Sequence, residues 1–523
     1  MSKIWISILA LMLVLGMVLS GCSSNTSSEP STKQGAADEK TEKKNELTIG
    51  VVGDPHSWDP IDTFLLDWST VATSVFEGLV DRTVDLKIEP GLAESWEFLD
   101  DTTLQFKLRQ GVQFHNGEPF NAEAVKFTFE RLLGEEGAKG PQQANYTSID
   151  HVEIVDEYTV NFILKSKDPV LITKLAGYGG VIVPPKYIEE KGDDYFNNHP
   201  VGTGPFKMTE YEKDNKVVLE KNASYWKQGY PKLDKVTFRI IPEATTRLAE
   251  LQTGAIDIMK GVEISQASTI EKEENVDLVP IGTPTVTSIR FDTSKAPVDN
   301  VKVREAIAHA IDVDTIIETV LSGYGKRIST FQSEMSFGND PTVPLREYDP
   351  EKAKQLLQEA GVKEGTSLDI FLPGNDATFK EVTQAVQIYL KDVGIQVKIN
   401  PVDKSTFYSD LIPNGKAGHM YRMGWGGWTL DFDNTAYLLY HKGEYWNPDF
   451  YDEKVEEYLQ AERSTFDQEE RLEAFKKLDQ RLYELIPEVP LYQSINLWAV
   501  NKNVKGFQPP ADERIRLEEV SVE

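Results

Sequence analysis

The sequence predicts a mixed α/β protein with at least two lobes. Three observations carry that expectation. The chain has 523 residues, 40% of them hydrophobic, which suffices for several packed cores. The usual length rule allows roughly three domains. Two strand–helix–strand stretches, near 236–259 and 368–400, lie far apart in the chain, and no segment repeats another.

Taken in order, Leu47–Val52 (LTIGVV) reads as a buried strand ended by Gly-Asp-Pro. Trp68–Val80 has helical spacing and runs to about Gly78. Thr102–Phe114 alternates apolar and polar residues, as a half-buried hairpin does. Asn121 then caps a helical stripe to Leu133, and Tyr158–Leu164 is a further strand. Val236–Ile241, a helix over Glu243–Gly254 and Ile256–Met259 make the first strand–helix–strand unit; Gly254 suits the left-handed helix end. Val301–Asp312 is amphipathic helix. Asp349 caps another helix that has Pro350 at its first position and ends at Gly361. Leu368–Leu372, a helix from about Lys380 to Val393 and Ile395–Asn400 form the second unit.

Acidic residues outnumber basic ones by 84 to 55, giving a formal net charge of -29 spread along the chain. Such a surface repels phosphate backbones and argues against a nucleic-acid partner. The lone cysteine, Cys22, follows Lys3, an apolar run over Ile4–Leu19 and the tetrapeptide Leu-Ser-Gly-Cys. A charged start, an apolar core and a small-residue exit make a secretory signal over 1–21. The Leu19–Cys22 stretch resembles a bacterial lipobox, whose cysteine is lipidated and becomes the new N-terminus. Residues 22–45 then read as a flexible tether, polar and without an apolar period, that holds the body beside a membrane.

No reaction chemistry stands out. The seven histidines show no HxxxH spacing and there is no CxxC, so no metal is expected. There is no GxSxG. Val201–Phe206 (VGTGPF) lacks the Lys-Ser/Thr of a phosphate loop and suits a tight chain crossing. Asp431 and Asp433 would share a face of a strand, as a carboxylate pair needs, but acids so placed in a loop are also ordinary turn or cap residues. Around them crowd Trp425, Trp428, Phe432, Tyr437, Tyr445 and Trp446. Core packing is one reading. A mostly apolar pocket with a few placed polar groups is the other, because buried acids and glycine backbone need partners.

At this point the chain resembles the bacterial family 5 extracellular solute-binding proteins, the peptide-binding components of ABC importers. Leu104–Leu132 (LQFKLRQGVQFHNGEPFNAEAVKFTFERL) carries the strongest likeness. Pro200–Phe206, Asn222–Ile258, Val303–Asp312, Tyr348–Gly361 and Ile486–Tyr492 follow in the family's order. The resemblance implies a two-lobed periplasmic-binding-protein fold of cluster C type that closes by a hinge over its ligand. One lobe would be discontinuous, over 46–76, 198–286 and 491–523, with an extra subdomain at 77–197. The other would span 287–490. It also implies a monomeric receptor, not an enzyme, lipid-anchored on the extracytoplasmic face, without a cofactor, handing its solute to a membrane permease.

The resemblance implies site residues too. In relatives a GWxxD segment lines the cleft and its aspartate pairs with a peptide's amino terminus. Here the segment is Gly424-Trp425-Gly426-Gly427-Trp428, and Trp428 stands where the aspartate would. Either Asp431 substitutes, or the ligand has no amino terminus to anchor. Arg422 matches an arginine found near ligand carboxylates. The carboxylate clamp of the dipeptide binders is missing near Pro373 and Gly374. Phe64, Leu65 and Leu66 match a stretch whose backbone pairs with an extended peptide. A small peptide is therefore the expected ligand. Glutathione, a metal chelate or an oligosaccharide is the alternative that Trp428 favours.

Overall fold

The computed structural model describes residues 45–63, 66–374 and 376–523. The predicted signal peptide, Cys22, nearly all of the tether, Phe64 and Leu65 lie outside them. One sheet of eleven strands runs through the molecule. Its order is Ile395–Val402, Thr366–Pro373, Met420–Trp425, Val276–Phe291, Glu488–Asn501, Ile258–Lys260, Glu46–Val51, Lys235–Ile240, Lys216–Lys221 and Phe206–Glu212, with Gly325–Arg327 also paired to Glu488–Asn501.

Both expected strand–helix–strand units are present. Glu46–Val51 lies parallel to Lys235–Ile240 on one side and Ile258–Lys260 on the other, the latter two joined by the helix Ala244–Thr253. Gly254 ends that helix at φ 72°, as its missing Cβ permits. At the other end Thr366–Pro373 runs parallel to Ile395–Val402, with the helix Ala377–Asp392 between them in sequence. Asn121 and Asp349 cap their helices as the sequence predicts, through side-chain oxygens that accept orphan backbone N–H groups.

Each end of the sheet has its own core. Leu47, Ile49, Trp68, Val236, Phe238 and Trp498 belong to one; Ile289, Ile307, Leu368, Val386 and Leu491 belong to another. A separate four-stranded sheet, ordered Ala93–Asp100, Thr103–Leu108, Thr159–Leu164 and Ile149–Asp156, packs over the helix Ala122–Leu133 on a third. The expected hairpin at 102–114 is thus one strand, Thr103–Leu108, inside this sheet.

Two long strands, Val276–Phe291 and Glu488–Asn501, pair antiparallel and join the two ends. Their register slips between Gly282 and Val286. The slip leaves Thr283–Thr285 bulged out of the ladder, where a bend is cheapest.

The segment 68–80 departs from its predicted helix, which runs only over Leu66–Ala72. Beyond it the backbone is claimed from outside. Gly204 and Phe206 donate their N–H groups to the carbonyls of Val75 and Ser74. The glycines of VGTGPF permit that approach, since a Cβ on Gly202 would lie 2.1 Å from the Val75 carbonyl oxygen. The crossing expected of this motif is a backbone-to-backbone clasp.

Candidate functional site

A cavity of about 300 Å³ opens beside the bulge. One wall is Gly424–Trp428 with Leu430 and Asn434, and the bulge Thr283–Thr285 lies next to it. The facing wall is built from three distant pieces: Leu66; Arg82 with Gly177 and Tyr178; and Ala511–Arg514.

The Gly424–Trp428 wall is the end of the strand Met420–Trp425 and the loop after it. Its glycines have steric reasons. A Cβ on Gly426 would meet the Thr285 hydroxyl at 3.0 Å, and Gly427 sits at φ 57°. Leu430 takes a left-handed φ of 57°, which costs a branched residue about 1 kcal/mol or more. It is held there because Phe337 donates its N–H to the Leu430 carbonyl and accepts the Phe432 N–H, both at 2.9 Å.

Trp428 lines the cavity and stacks on Tyr178 of the facing wall, centroids 6.2 Å apart. The fit is close: a Cβ on Gly177 would fall 2.0 Å from the indole ring. Arg82 fixes the same loop from the opposite wall. It donates to the carbonyls of Trp428 (2.8 Å) and Thr429, and to Thr173 at 3.1 Å in its own subdomain. Trp425 packs its ring edge-on against Trp446 at 5.6 Å, while its indole N–H has no partner.

The acids of this segment play a scaffold part. Asp431 is the N-cap of the helix Phe432–Tyr440 and accepts the Asp433 N–H at 3.0 Å. Both its oxygens also take the Arg471 guanidinium, at 2.8 and 2.9 Å. Arg471 reaches Glu462 as well, at 3.0 Å. Burial works against the charge on Asp433, but Glu462 and Arg463 hold its carboxyl down to about 2. Burial and the charge of Asp433 push Glu462 well up. The expectation that Asp431 anchors a ligand amine meets a carboxylate already fully engaged and absent from the cavity wall. The capping reading is realised at Asp431, while the Asp433 carboxylate pairs with Arg463.

Arg422 is the opposite case. It is wholly buried on Met420–Trp425, and none of its guanidinium nitrogens has a hydrogen-bond partner. Its guanidinium stands over the Phe379 ring, 4.9 Å from the centroid. That same ring lies 3.4 Å from where a Gly424 Cβ would be, one strand step nearer the cavity. Leu66 lies on the cavity wall and is half exposed.

Sequence reasoning missed Arg82, Tyr178, Asn434 and the 511–514 segment. Glu513 stands at φ 62°, its carboxylate held by Lys260 (2.8 Å) and Asn496 (3.0 Å). Asp512 binds Arg514 and Arg516 at 2.9 and 3.1 Å. The positions come from distant parts of the chain, so no local spacing flags them. Among the described residues one group, Asp54, His56 and Asp214, brings potential metal-ligand atoms within 4.8 Å. The Asp54 oxygens there already accept from His56, Asp214 and the Tyr211 hydroxyl.

A mostly apolar cavity between two walls, with a bulged strand pair beside it, is an arrangement that suits the binding of a solute. The chain belongs to the bacterial extracellular solute-binding proteins, family 5, whose middle region matches residues 87–447. It is 30% identical over 471 residues to the glutathione-binding protein GsiB of Salmonella typhi, covering 88% of this chain and 91% of that one. Its fold matches HbpA2 from Haemophilus parasuis with a TM-score of 0.81 at 27% identity, covering 92% of this chain and all of that one. It likewise matches the periplasmic binding protein DppA from Helicobacter pylori in complex with the peptide STSA, with a TM-score of 0.78 at 26% identity, covering 92% and 99%. The two-lobed α/β architecture expected from the sequence is the architecture of these neighbours. No helix among the described residues is long and apolar enough to cross a membrane.

Proposed function

We propose that this chain captures a short peptide, or a peptide-like solute, and hands it to the membrane permease of an ABC importer. The observation that carries the reading is Arg422. A fully buried guanidinium without a hydrogen bond is costly, the charge of Asp376 offsets that cost only in part, and a ligand carboxylate that reaches Arg422 past Gly424 from the cavity completes it. The cavity of about 300 Å³ is at the small end for ligand sites and suits a short ligand. The peptide bound by the Helicobacter pylori relative and the glutathione of the Salmonella name agree with a small carboxylate-bearing solute.

The binding residues of this reading are Arg422, Trp425, Trp428 and Leu66, with backbone pairing at Phe64 and Leu65. Asp431 acts at one remove, by fixing the loop that carries Trp428. The lobes divide at 286/287 and 490/491, within the two long strands, and closure bends their bulged stretch. Nothing is catalysed, and ATP is spent by other subunits. Cys22 carries the lipid that keeps the receptor beside its permease. A second reading keeps the architecture but takes a non-peptide solute, because an indole at Trp428 stacks on a ring or apolar group where relatives place an acid.

Native mass spectrometry of the folded body from Glu46 onward tests the reading by weighing co-purified solutes. Masses spaced by amino-acid residues support a peptide receptor. A single mass outside that ladder replaces the peptide with another solute. Metabolic labelling of the full chain with a fatty acid, lost in Cys22→Ser, tests the anchor.

A further inference from the structure

The two sides of the cleft also meet outside the solute cavity. Phe466 sits in the loop between the helices Glu453–Arg463 and Gln468–Leu485, on the side that carries Trp428. That loop is braced. The Ser464 hydroxyl donates to the Ala461 carbonyl at 2.7 Å, and Asp467, which caps the second helix, donates its N–H to the Thr465 hydroxyl at 3.0 Å. Phe466 joins none of the hydrophobic cores of the described residues. Its partners stand on the facing side. Its ring lies against Phe98 of the strand Ala93–Asp100, centroids 4.2 Å apart and planes 36° apart. The Lys167 ammonium lies 5.1 Å from the Phe466 centroid and is held by Asp101 at 3.2 Å. Phe98 packs against the core of the four-stranded sheet, so this socket is anchored in the fold.

The two helices that present Phe466 also hold the cavity wall. Arg463 donates to Asp433 at 3.1 Å, and Arg471 takes both oxygens of Asp431. Seating Phe466 therefore fixes the Gly424–Asn434 segment against the facing side at a second point, the first being Trp428 on Tyr178. Neither contact needs a solute atom. Opening the cleft would strip the Phe466 ring of both partners and expose it to water, and that cost falls on the open state alone.

We propose that Phe466, in its socket of Phe98 and Lys167, is a latch that holds the cleft shut from outside the cavity and slows release of the solute. The latch rests on the two-lobe hinge reading above and not on which solute is bound. It favours the closed form with or without solute, so it raises the apparent affinity for every solute alike. The strength of an aromatic pair with a cation at its face sets the expected effect: losing the latch speeds release about three- to tenfold.

The test reads the distance across the cleft. Cys22 is the sole cysteine, so the full chain with Cys22→Ser accepts one fluorophore at Val155→Cys and one at Ile388→Cys, both more than half exposed and on opposite sides. Energy transfer in the solute-free protein should report one short separation. Phe466→Ala should add a longer one without lowering the melting temperature, and Phe466→Trp should restore the short one. Phe98→Ala should act like Phe466→Ala, and the double variant should go no further than either. A mixed peptide hydrolysate should return the Phe466→Ala protein to the short separation, and on dilution that protein should lose its peptides at the faster rate. A separation that the hydrolysate shifts but Phe466→Ala does not overturns the latch and leaves the hinge reading standing. Additive effects of the two alanine variants overturn the pairing. A longer separation in Phe466→Ala that the hydrolysate leaves untouched supports the latch and counts against the peptide. A separation that nothing moves overturns the latch and the hinge together.

Discussion

Two arginines flank the Gly424–Asn434 segment, both buried, and they differ in everything else. Arg471 binds both oxygens of Asp431 and one of Glu462. Arg422 binds nothing by hydrogen bond. The first is what a scaffold looks like, with every charge answered inside the fold. The second is a cation whose desolvation outweighs the attraction of Asp376 and Tyr492, so an added anion would still stabilise it. Saturation of polar groups, more than residue type, separates the two roles.

The largest effect should come from breaking the saturated corner. Asp431→Ala strips Arg471 of a bidentate partner and the helix Phe432–Tyr440 of its cap. A loss of about 3–5 kcal/mol in unfolding free energy is expected, read by urea denaturation. If Asp431 instead held a ligand amine, stability would change little and solute retention would vanish.

A second saturated site gives a pH dependence. His115 donates from Nε2 to the Gly204 carbonyl (3.0 Å) and accepts the Gly202 N–H at Nδ1 (3.3 Å), so only its neutral ring satisfies both. Burial lowers its pKa from 6.5 to about 4. The unfolded chain therefore takes up a proton first as pH falls. The stabilisation is present above pH 6.5 and is lost between about 6.5 and 4, worth roughly 3 kcal/mol in full. His115→Gln should flatten that part of the stability profile, and an unchanged slope would assign it to other groups.

A smaller effect is expected at the cavity mouth. Gly177→Ala places a methyl inside the Trp428 ring position, so the indole must leave Tyr178. A cost of about 1–3 kcal/mol follows from overpacking, with a shift in tryptophan emission as the ring moves toward water. Unchanged emission would mean that the loop moves as a unit and Trp428 keeps its stack.

These contrasts also explain what the sequence could show. The strand–helix–strand units were legible because their period and caps are local, as at Asp349 and Gly254. The helix predicted to Gly78 was over-extended because the carbonyls of Ser74 and Val75 bond to Gly204 and Phe206, far along the chain. Gly424–Trp428 was legible as a motif. Arg82 and Arg514 were not, since an arginine in a short strand and another in a C-terminal loop carry no spacing that joins them. The partner of Asp431 was equally hidden, forty residues on at Arg471.

The smallest predicted change in stability has the opposite sign to the others. Arg422→Met removes a buried guanidinium that forms no hydrogen bond and replaces it with an apolar chain of similar length against Phe379. The solute-free protein should gain about 1–2 kcal/mol, because the desolvation relieved outweighs the lost attraction to Asp376 and Tyr492. Retention of carboxylate-bearing solutes should fall at least tenfold in the same variant. Stability and binding then move in opposite directions at Arg422, whereas at Asp431 stability falls first and binding only follows the loop. A destabilised Arg422→Met protein would mean that Arg422 belongs to the scaffold, and the carboxylate would have to be sought at the facing wall.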